Sequence, residues 1–142
     1  MNLIVNLLTS KKIICKNLPA EQVLLPSMDG IIGILEGHVT SLTCLDIGLV
    51  SIKTDGKWIP VLSGGDGVAE IDRNRVTIVG PNFDEFTDLG LDLKKAKKEV
   101  EDAVANFQDF ESGRSFPEAL KRLKRANAQL AGIQLLTEGK TD

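Results

Sequence analysis

The chain has 142 residues, of which 42% are hydrophobic and 26% charged, and its formal net charge is −3. This composition is typical of a globular protein and argues against extensive disorder, and the slight acidity gives no general attraction to nucleic acid. The apolar stretch at residues 3–8 is too short to span a bilayer, so we expect a soluble protein. Cys15 and Cys44 match neither a metal site nor a disulfide framework, and we expect both to be small buried core residues.

Residues 1–80 are predicted to form short β-strands separated by turns, a pattern typical of a sandwich or barrel. β-Branched side chains are enriched in segments too short for ordinary helices; the clearest are residues 3–8, 22–25, 49–53 and 75–79. Asp55 and Gly56 suit a tight hairpin turn because both accept positive φ. Residues 72–75 are a second turn candidate, and Trp58 is expected to be a core or inter-sheet side chain.

After Pro81 the hydrophobic period becomes that of an α-helix. Apolar residues recur at steps of three and four along two segments; they are Leu93, Ala96, Val100, Ala103, Phe107 and Phe110, then Phe116, Ala119, Leu123, Ala126, Leu130 and Ile133. Asp92 suits the N-cap of the first helix. Because the connection is short, the two helices are predicted to form an antiparallel hairpin.

The seam of this hairpin, where the apolar faces of the two helices meet, is rich in alanine. Alanine lets the helices approach closely but buries little apolar area per turn. Two helices with so thin a seam rarely stay folded alone. We therefore expect the hairpin to lean on a second surface, either its own β domain or another subunit. Exchange between these two surfaces is expected to cost little free energy.

The glycine-rich segment at residues 63–67 is expected to be a bulge or strand turn, because no GKS or GKT follows it and the next segment reads as a strand. His38 has no neighbouring Ser, Cys or second His to form a nucleophilic or metal constellation. No catalytic residue, metal or cofactor is therefore expected. A small hydrolase using His38 with Asp29 or Asp46 is a disfavoured alternative, since it lacks a nucleophile.

Four short segments, in this order and spacing, resemble the epsilon subunit of bacterial and plastid F-type ATP synthases, with a red-algal plastid character. They read GIIGILEGH at 30–38, LDIG at 45–48, LSGG at 62–65 and AEIDRNRVT at 69–77. The resemblance implies a mainly β fold with added α structure: an N-terminal antiparallel β sandwich at residues 1–88, followed by a C-terminal two-helix hairpin at residues 89–142.

The same resemblance implies a non-catalytic rotor subunit whose sandwich binds the gamma shaft and the ring of membrane c subunits. The implied rotor contact lies in residues 30–38, and its members are Gly30, Ile31, Glu36, Gly37 and His38. The implied location is the stromal face of the plastid thylakoid membrane, held peripherally through the complex, or alternatively the cytoplasmic face of a bacterial plasma membrane. A free-standing adaptor with a partner-binding hairpin is the alternative function.

Basic residues form a cluster around the start of the second helix; they are Arg114, Lys121, Arg122, Lys124 and Arg125. Composition alone favours a solvated helix face. The resemblance instead implies a regulatory face, because members of the family can swing the hairpin toward an acidic segment of the catalytic beta subunits and so restrain ATP hydrolysis.

Three features of the sequence depart from the pattern of the family. Ile31 stands where bacterial members often have an acidic residue, so a charged contact with the c-ring is not expected there. Lys95 stands where nucleotide-binding members have an arginine, and a lysine lacks the forked geometry of a guanidinium. Asp66 and Gly67 form an apparent insertion, which leaves the register of that strand open.

Overall fold

A computed structural model describes residues 2–86, 92–108 and 116–139 of the chain. Within these described residues, eight strands come first and two helices follow them. The strands are β1 (Leu3–Leu8), β2 (Ile13–Ala20), β3 (Gln22–Ser27), β4 (Gly30–Ile34), β5 (Ser41–Thr54), β6 (Lys57–Asp72), β7 (Arg75–Val79) and β8 (Phe83–Glu85), and the helices are α1 (Leu93–Gln108) and α2 (Phe116–Gly139). The domain boundary expected at residue 88 lies outside the described residues. Among these residues, no helix has both the length and the hydrophobicity needed to cross a bilayer.

The strands form one sheet in the order β2-β1-β7-β6-β5-β3-β4, with β8 paired to β6. All described pairs are antiparallel except β1 with β7. Strands β1 and β3 lie far apart in this order, yet Val5 and Val23 belong to one buried core. The sheet therefore folds over on itself, as a sandwich does. The predicted fold class, a largely antiparallel β domain followed by two helices, is confirmed.

The turns lie where the sequence predicted them, for the expected conformational reason. Asp55 and Gly56, with φ of 51° and 74°, connect β5 to β6. Arg73 and Asn74, with φ of 50° and 65°, connect β6 to β7. Two consecutive residues with positive φ match the right-handed twist of the flanking strands, which is why these hairpins close tightly.

A bulge interrupts the β5–β6 ladder at the glycine-rich segment, as predicted. Leu45 pairs with Gly67 and Ile47 pairs with Gly64, so Asp46 alone lies opposite Gly65 and Asp66. Gly65 and Asp66 have φ of 87° and 59°. A bulge absorbs one extra residue by bending the strand. Asp66 lies within the bulge, Gly67 pairs with Leu45, and the ladder continues on both sides.

The prediction for the cysteines was wrong for Cys44, which is exposed, while Cys15 is only half-buried. Cys44 alternates with Leu45, which is buried, along β5, and therefore lies on the outer face of the sheet. Trp58 is also only half-buried, with the Lys53 ammonium 5.9 Å from its ring centroid. An apolar run on a strand does not show which neighbours cover each face of the sheet. For that reason the sequence predicted more burial for these side chains than the structure shows.

Helices α1 and α2 pack together as the predicted antiparallel hairpin, with Phe107 near the end of α1 and Phe116 at the start of α2 at a ring-centroid distance of 5.3 Å. The Asp92 carboxylate accepts a hydrogen bond from the Lys95 backbone N–H at 2.8 Å, which confirms the predicted N-cap. The buried side chains of α1 are alanines, Ala96 and Ala103. Phe110 lies outside the described residues.

The hairpin packs against its own β domain. This is one of the two docking surfaces that the sequence left as alternatives. Leu49 of β5 and Leu62 of β6 lie directly opposite each other and form the floor of this contact. Ala128 and Ile133 of α2 pack into the same cluster, together with Phe86. Helix α2 therefore buries one side against α1 and another against the sheet.

Candidate interaction surfaces

The segment implied to contact the rotor lies at an edge of the sheet, because β3 is the single neighbour of β4 among the described strands. A tight turn precedes β4, in which the Ser27 hydroxyl donates to the Gly30 carbonyl at 2.6 Å. This turn presents Ile31, 79% exposed, at the start of the edge strand. The remaining implied contact residues, Glu36 to His38, follow the end of β4.

Hydrogen bonds hold the turn after β4 against distant parts of the chain. The Gly37 N–H donates to the Asn74 side-chain oxygen at 2.8 Å, and the Asn2 amide donates to the Glu36 carboxylate at 2.6 Å. Gly37 has a φ of 83°, a conformation that favours glycine. The β6–β7 turn and Asn2, the residue before β1, thus hold this turn in place, and Glu36 already has a partner within the chain.

Large apolar side chains are concentrated on and beside this loop. Five of them within residues 28–42 leave more than half of their surface exposed; they are Met28, Ile31, Leu35, Val39 and Leu42. A second set continues across the outer face of the sheet, where Val68 lies between Cys44 on β5 and Val79 on β7. Soluble monomers rarely expose so many neighbouring apolar groups, so this apolar surface is typical of a protein–protein interface.

Two of the predicted basic residues bind carboxylates of the β domain. The Lys124 ammonium lies 2.8 Å from the Asp46 carboxylate, and the Arg125 guanidinium lies 3.3 Å from that of Asp84. Asp46 sits on the β5 side of the bulge and Asp84 on β8. Sequence reasoning missed both acidic partners, because 78 and 41 residues separate the members of these pairs and no local pattern connects them.

A third basic residue ties the two helices to each other. The Arg122 guanidinium donates two hydrogen bonds to the Glu99 carboxylate, at 2.9 and 3.4 Å. The hydrogen bond to Glu99 raises the pKa of Arg122 above its ordinary value. Lys121 is exposed, and Arg114 lies outside the described residues. The predicted basic face is therefore largely engaged in ion pairs in this conformation.

The described residues do not assemble a catalytic or metal centre around His38. The His38 ring contacts the Val39 carbonyl at 2.8 Å, whereas Asp46 is engaged with Lys124. Across residues 2–86, 92–108 and 116–139, no group of three or more His, Cys, Asp or Glu side chains could hold a metal ion.

The half-buried thiol of Cys15 faces a groove between the sheet and the end of α2. Trp58, Phe86 and Leu136 line this groove, which has a volume of about 310 Å³, and Glu85 lies beside them. Burial, and to a lesser extent the Glu85 carboxylate, raise the pKa of the Cys15 thiol above its ordinary value. Both effects disfavour the reactive thiolate.

Comparisons with known proteins agree with the architecture. Residues 2–83 match the family described as ATP synthase, Delta/Epsilon chain, beta-sandwich domain. The chain is 39% identical to the chloroplastic ATP synthase epsilon chain of Thalassiosira pseudonana over 133 residues, covering 94% of this chain and 97% of that one. It is 36% identical to the cyanelle ATP synthase epsilon chain of Cyanophora paradoxa over 134 residues, covering 94% and 98%.

One solved structure supports the fold over nearly the whole length. A chain in the cryo-EM structure of the Euglena gracilis mitochondrial ATP synthase, OSCP/F1/c-ring, matches with a TM-score of 0.75 at 20% identity, covering 93% of this chain and 81% of that chain. The relatives confirm the resemblance drawn from the sequence, including its plastid character. The chain belongs to the ATP synthase delta/epsilon chain family, a family of accessory subunits and not of enzymes.

Proposed function

We propose that this chain is the epsilon subunit of a plastid F-type ATP synthase and works as part of its rotor. In this proposal the β domain, residues 1–88, joins the gamma shaft to the ring of c subunits. The hairpin, residues 89–142, restrains ATP hydrolysis through transient contact with the catalytic beta subunits. The subunit is peripheral, on the stromal face of the thylakoid membrane.

The observation that carries the rotor role is the apolar surface on and beside residues 30–38. Ile31, on the edge strand β4, is 79% exposed, and Val39, just after the turn that a Gly37–Asn74 hydrogen bond holds in place, is 73% exposed. A fixed apolar loop loses little conformational entropy when a partner covers it. Its polar members are few and Glu36 is already paired with Asn2, so shape and apolar contact account for the docking better than charge does.

The ion pairs between α2 and the β domain support the regulatory role. Lys124 and Arg125 bind carboxylates at partly exposed positions, where an ion pair contributes about 0.2–1 kcal/mol. An acidic segment of a beta subunit offers the same chemistry, so the two basic side chains can exchange partners at small net cost. The hairpin is thereby able to leave the β domain for another acidic surface.

Reconstitution of a complex lacking this subunit tests both roles, with proton-driven synthesis and ATP hydrolysis measured for each form. A version ending at Asp88 is expected to restore coupling but to allow excess hydrolysis. Neutralising Lys121, Arg122, Lys124 and Arg125 to glutamine is expected to raise hydrolysis roughly two- to tenfold, since each contact with an acidic partner contributes little.

The matched control neutralises four lysines on α1, which removes the same charge from the same hairpin; they are Lys94, Lys95, Lys97 and Lys98. An equal rise in hydrolysis from this control would assign the effect to net charge and contradict the regulatory face. A version ending at Asp88 that fails to restore coupling would contradict the rotor role of the β domain. Failure of the full chain to co-purify with shaft and ring subunits would favour the adaptor.

A further inference from the structure

Gly132 lies inside α2, where every residue type except proline has a higher intrinsic helix propensity than glycine. A glycine in a helix interior costs about 1 kcal/mol relative to alanine. A Cβ built at Gly132 would overlap the ring of Phe86. The helix therefore carries a gap at this position, and the aromatic ring of the β domain fills it.

Phe86 follows β8 directly and is 9% exposed. It belongs to the buried apolar cluster that also contains Leu62 of the sheet and Ala128 and Ile133 of α2. The contact between Phe86 and Gly132 thus joins the β domain to α2. A glycine at position 132 does not improve the packing of α1 against α2. The pairing of the two helices therefore does not explain why a glycine stands there.

We propose that Phe86 and Gly132 form a shape lock that holds the hairpin on the β domain. The lock works with the Lys124–Asp46 and Arg125–Asp84 ion pairs, which lie on the same side of α2. Basic side chains that are paired within the chain cannot at the same time bind an acidic partner. The lock therefore sets the fraction of subunits whose Lys124 and Arg125 are free, a consequence that rests on the proposed function.

Trp58 provides a built-in reporter for this lock. It is the one tryptophan of the chain, and it lines the groove between the sheet and α2 together with Phe86 and Leu136. When α2 leaves the sheet, water enters this groove. The emission of Trp58 is then expected to shift to longer wavelength.

The test uses the full chain with Gly132→Ala, a change that favours the helix itself but forces a methyl group into the Phe86 ring. Overpacking of this kind is expected to lower the docking equilibrium roughly tenfold or more. Trp58 emission should shift to the red and the amides of α2 should exchange faster. Helix content by circular dichroism should not fall, and the amides of the β core should keep their protection.

Gln134→Ala is the matched control, because Gln134 is exposed two residues further along the same helix. It is expected to leave both the emission and the exchange of α2 unchanged. The double variant Phe86→Ala with Gly132→Ala is expected to dock better than Gly132→Ala alone, since the added methyl then enters vacated space. An additive result would place the effect of Gly132 outside the ring contact and overturn the lock.

Unchanged exchange of α2 in Gly132→Ala would also overturn the proposal. If that variant loses β-core protection, Phe86→Ala, which introduces no overlap, decides the question by α2 exchange, and full docking in it overturns the lock. These measurements need only the isolated subunit. A variant that undocks in isolation, yet leaves hydrolysis by the assembled complex unchanged, would contradict the proposed function and leave the lock intact.

Discussion

The β domain and the helical hairpin are built from different kinds of contact. The core of the β domain contains large side chains with no exposed surface, such as Leu25 and Ile52. The hairpin buries mainly alanines and rests on the sheet through a small apolar cluster and two partly exposed ion pairs. Because buried apolar area is the main source of stability, the first region is held much more strongly than the second.

The difference divides one short chain into a strongly held part and a weakly held part. The β sheet folds over and encloses its core, so removing any strand would expose apolar groups with no alternative cover. The interface of the hairpin contains groups that another acidic or apolar surface would satisfy equally well. Regions that move in regulation come from this weaker end of the stability range.

The largest expected effect is in the core of the β domain. Leu25→Ala should lower the free energy of unfolding by about 2–5 kcal/mol, because it leaves a cavity at a fully buried position. Urea denaturation followed by far-ultraviolet circular dichroism measures this loss. Leu42→Ala removes the same atoms from a side chain that is 71% exposed, and it should change stability by less than about 0.5 kcal/mol. Equal losses for the two variants would contradict the division between core and outer surface.

The two cysteines sharpen the comparison between a covered and an open face of the sheet. Cys44 is exposed, whereas Cys15 faces the groove under the end of α2, where burial raises its thiol pKa. Iodoacetamide should therefore modify Cys44 much faster at neutral pH. A raised pKa means that the thiolate forms only at higher pH, so the rate for Cys15 should still be rising where an ordinary thiol has levelled off.

Cys15→Ser and Cys44→Ser variants assign each rate, with mass spectrometry as the readout. A Cys15 that reacts as fast as Cys44 in the full chain would show that α2 does not cover the groove. The Gly132→Ala variant should speed the modification of Cys15 and leave that of Cys44 unchanged, because only the first thiol lies beneath the helix.

The smallest expected effect concerns the ion pair between Lys124 and Asp46. Asp46→Asn should weaken docking of the hairpin by about 0.2–1 kcal/mol, the range for partly exposed pairs. The loss should shrink as salt is added, since screening weakens the pair in the parent chain. A double-mutant cycle with Lys124→Gln, followed by amide exchange of α2, isolates the coupling between the two side chains.

Asp66→Asn serves as the control, because Asp66 is exposed on the opposite strand of the same bulge and asparagine tolerates its positive φ equally well. A coupling of zero between Asp46 and Lys124 would remove this pair from the forces that hold the hairpin. A coupling that persists at high salt would indicate a more strongly desolvated pair than the exposures of the two side chains suggest.

Local patterns were enough to predict most of the secondary structure. Apolar residues alternate every second position in the strands and recur every three or four positions in the helices. These periods, like the Asp55–Gly56 turn and the Asp92 cap, depend on neighbours within a few positions. The same patterns could not place Cys44, because the outer face of β5 carries apolar residues as well. They also could not show that the alternation of inward-facing and outward-facing residues along β5 shifts by one position at the bulge. Leu45 faces the core before the bulge, and Val50 faces it afterwards.

The sequence by itself determined the two kinds of structural element, their order and the position of the turns. It also determined that the alanine-rich contact between the two helices buries little apolar area. All of these arise from local geometry and composition. Only the tertiary structure decided that the hairpin rests on its own β domain, that Lys124 and Arg125 meet Asp46 and Asp84, and that Phe86 fills the gap at Gly132. These contacts join residues more than forty positions apart. Their existence depends on how the sheet folds over, and no local pattern records it.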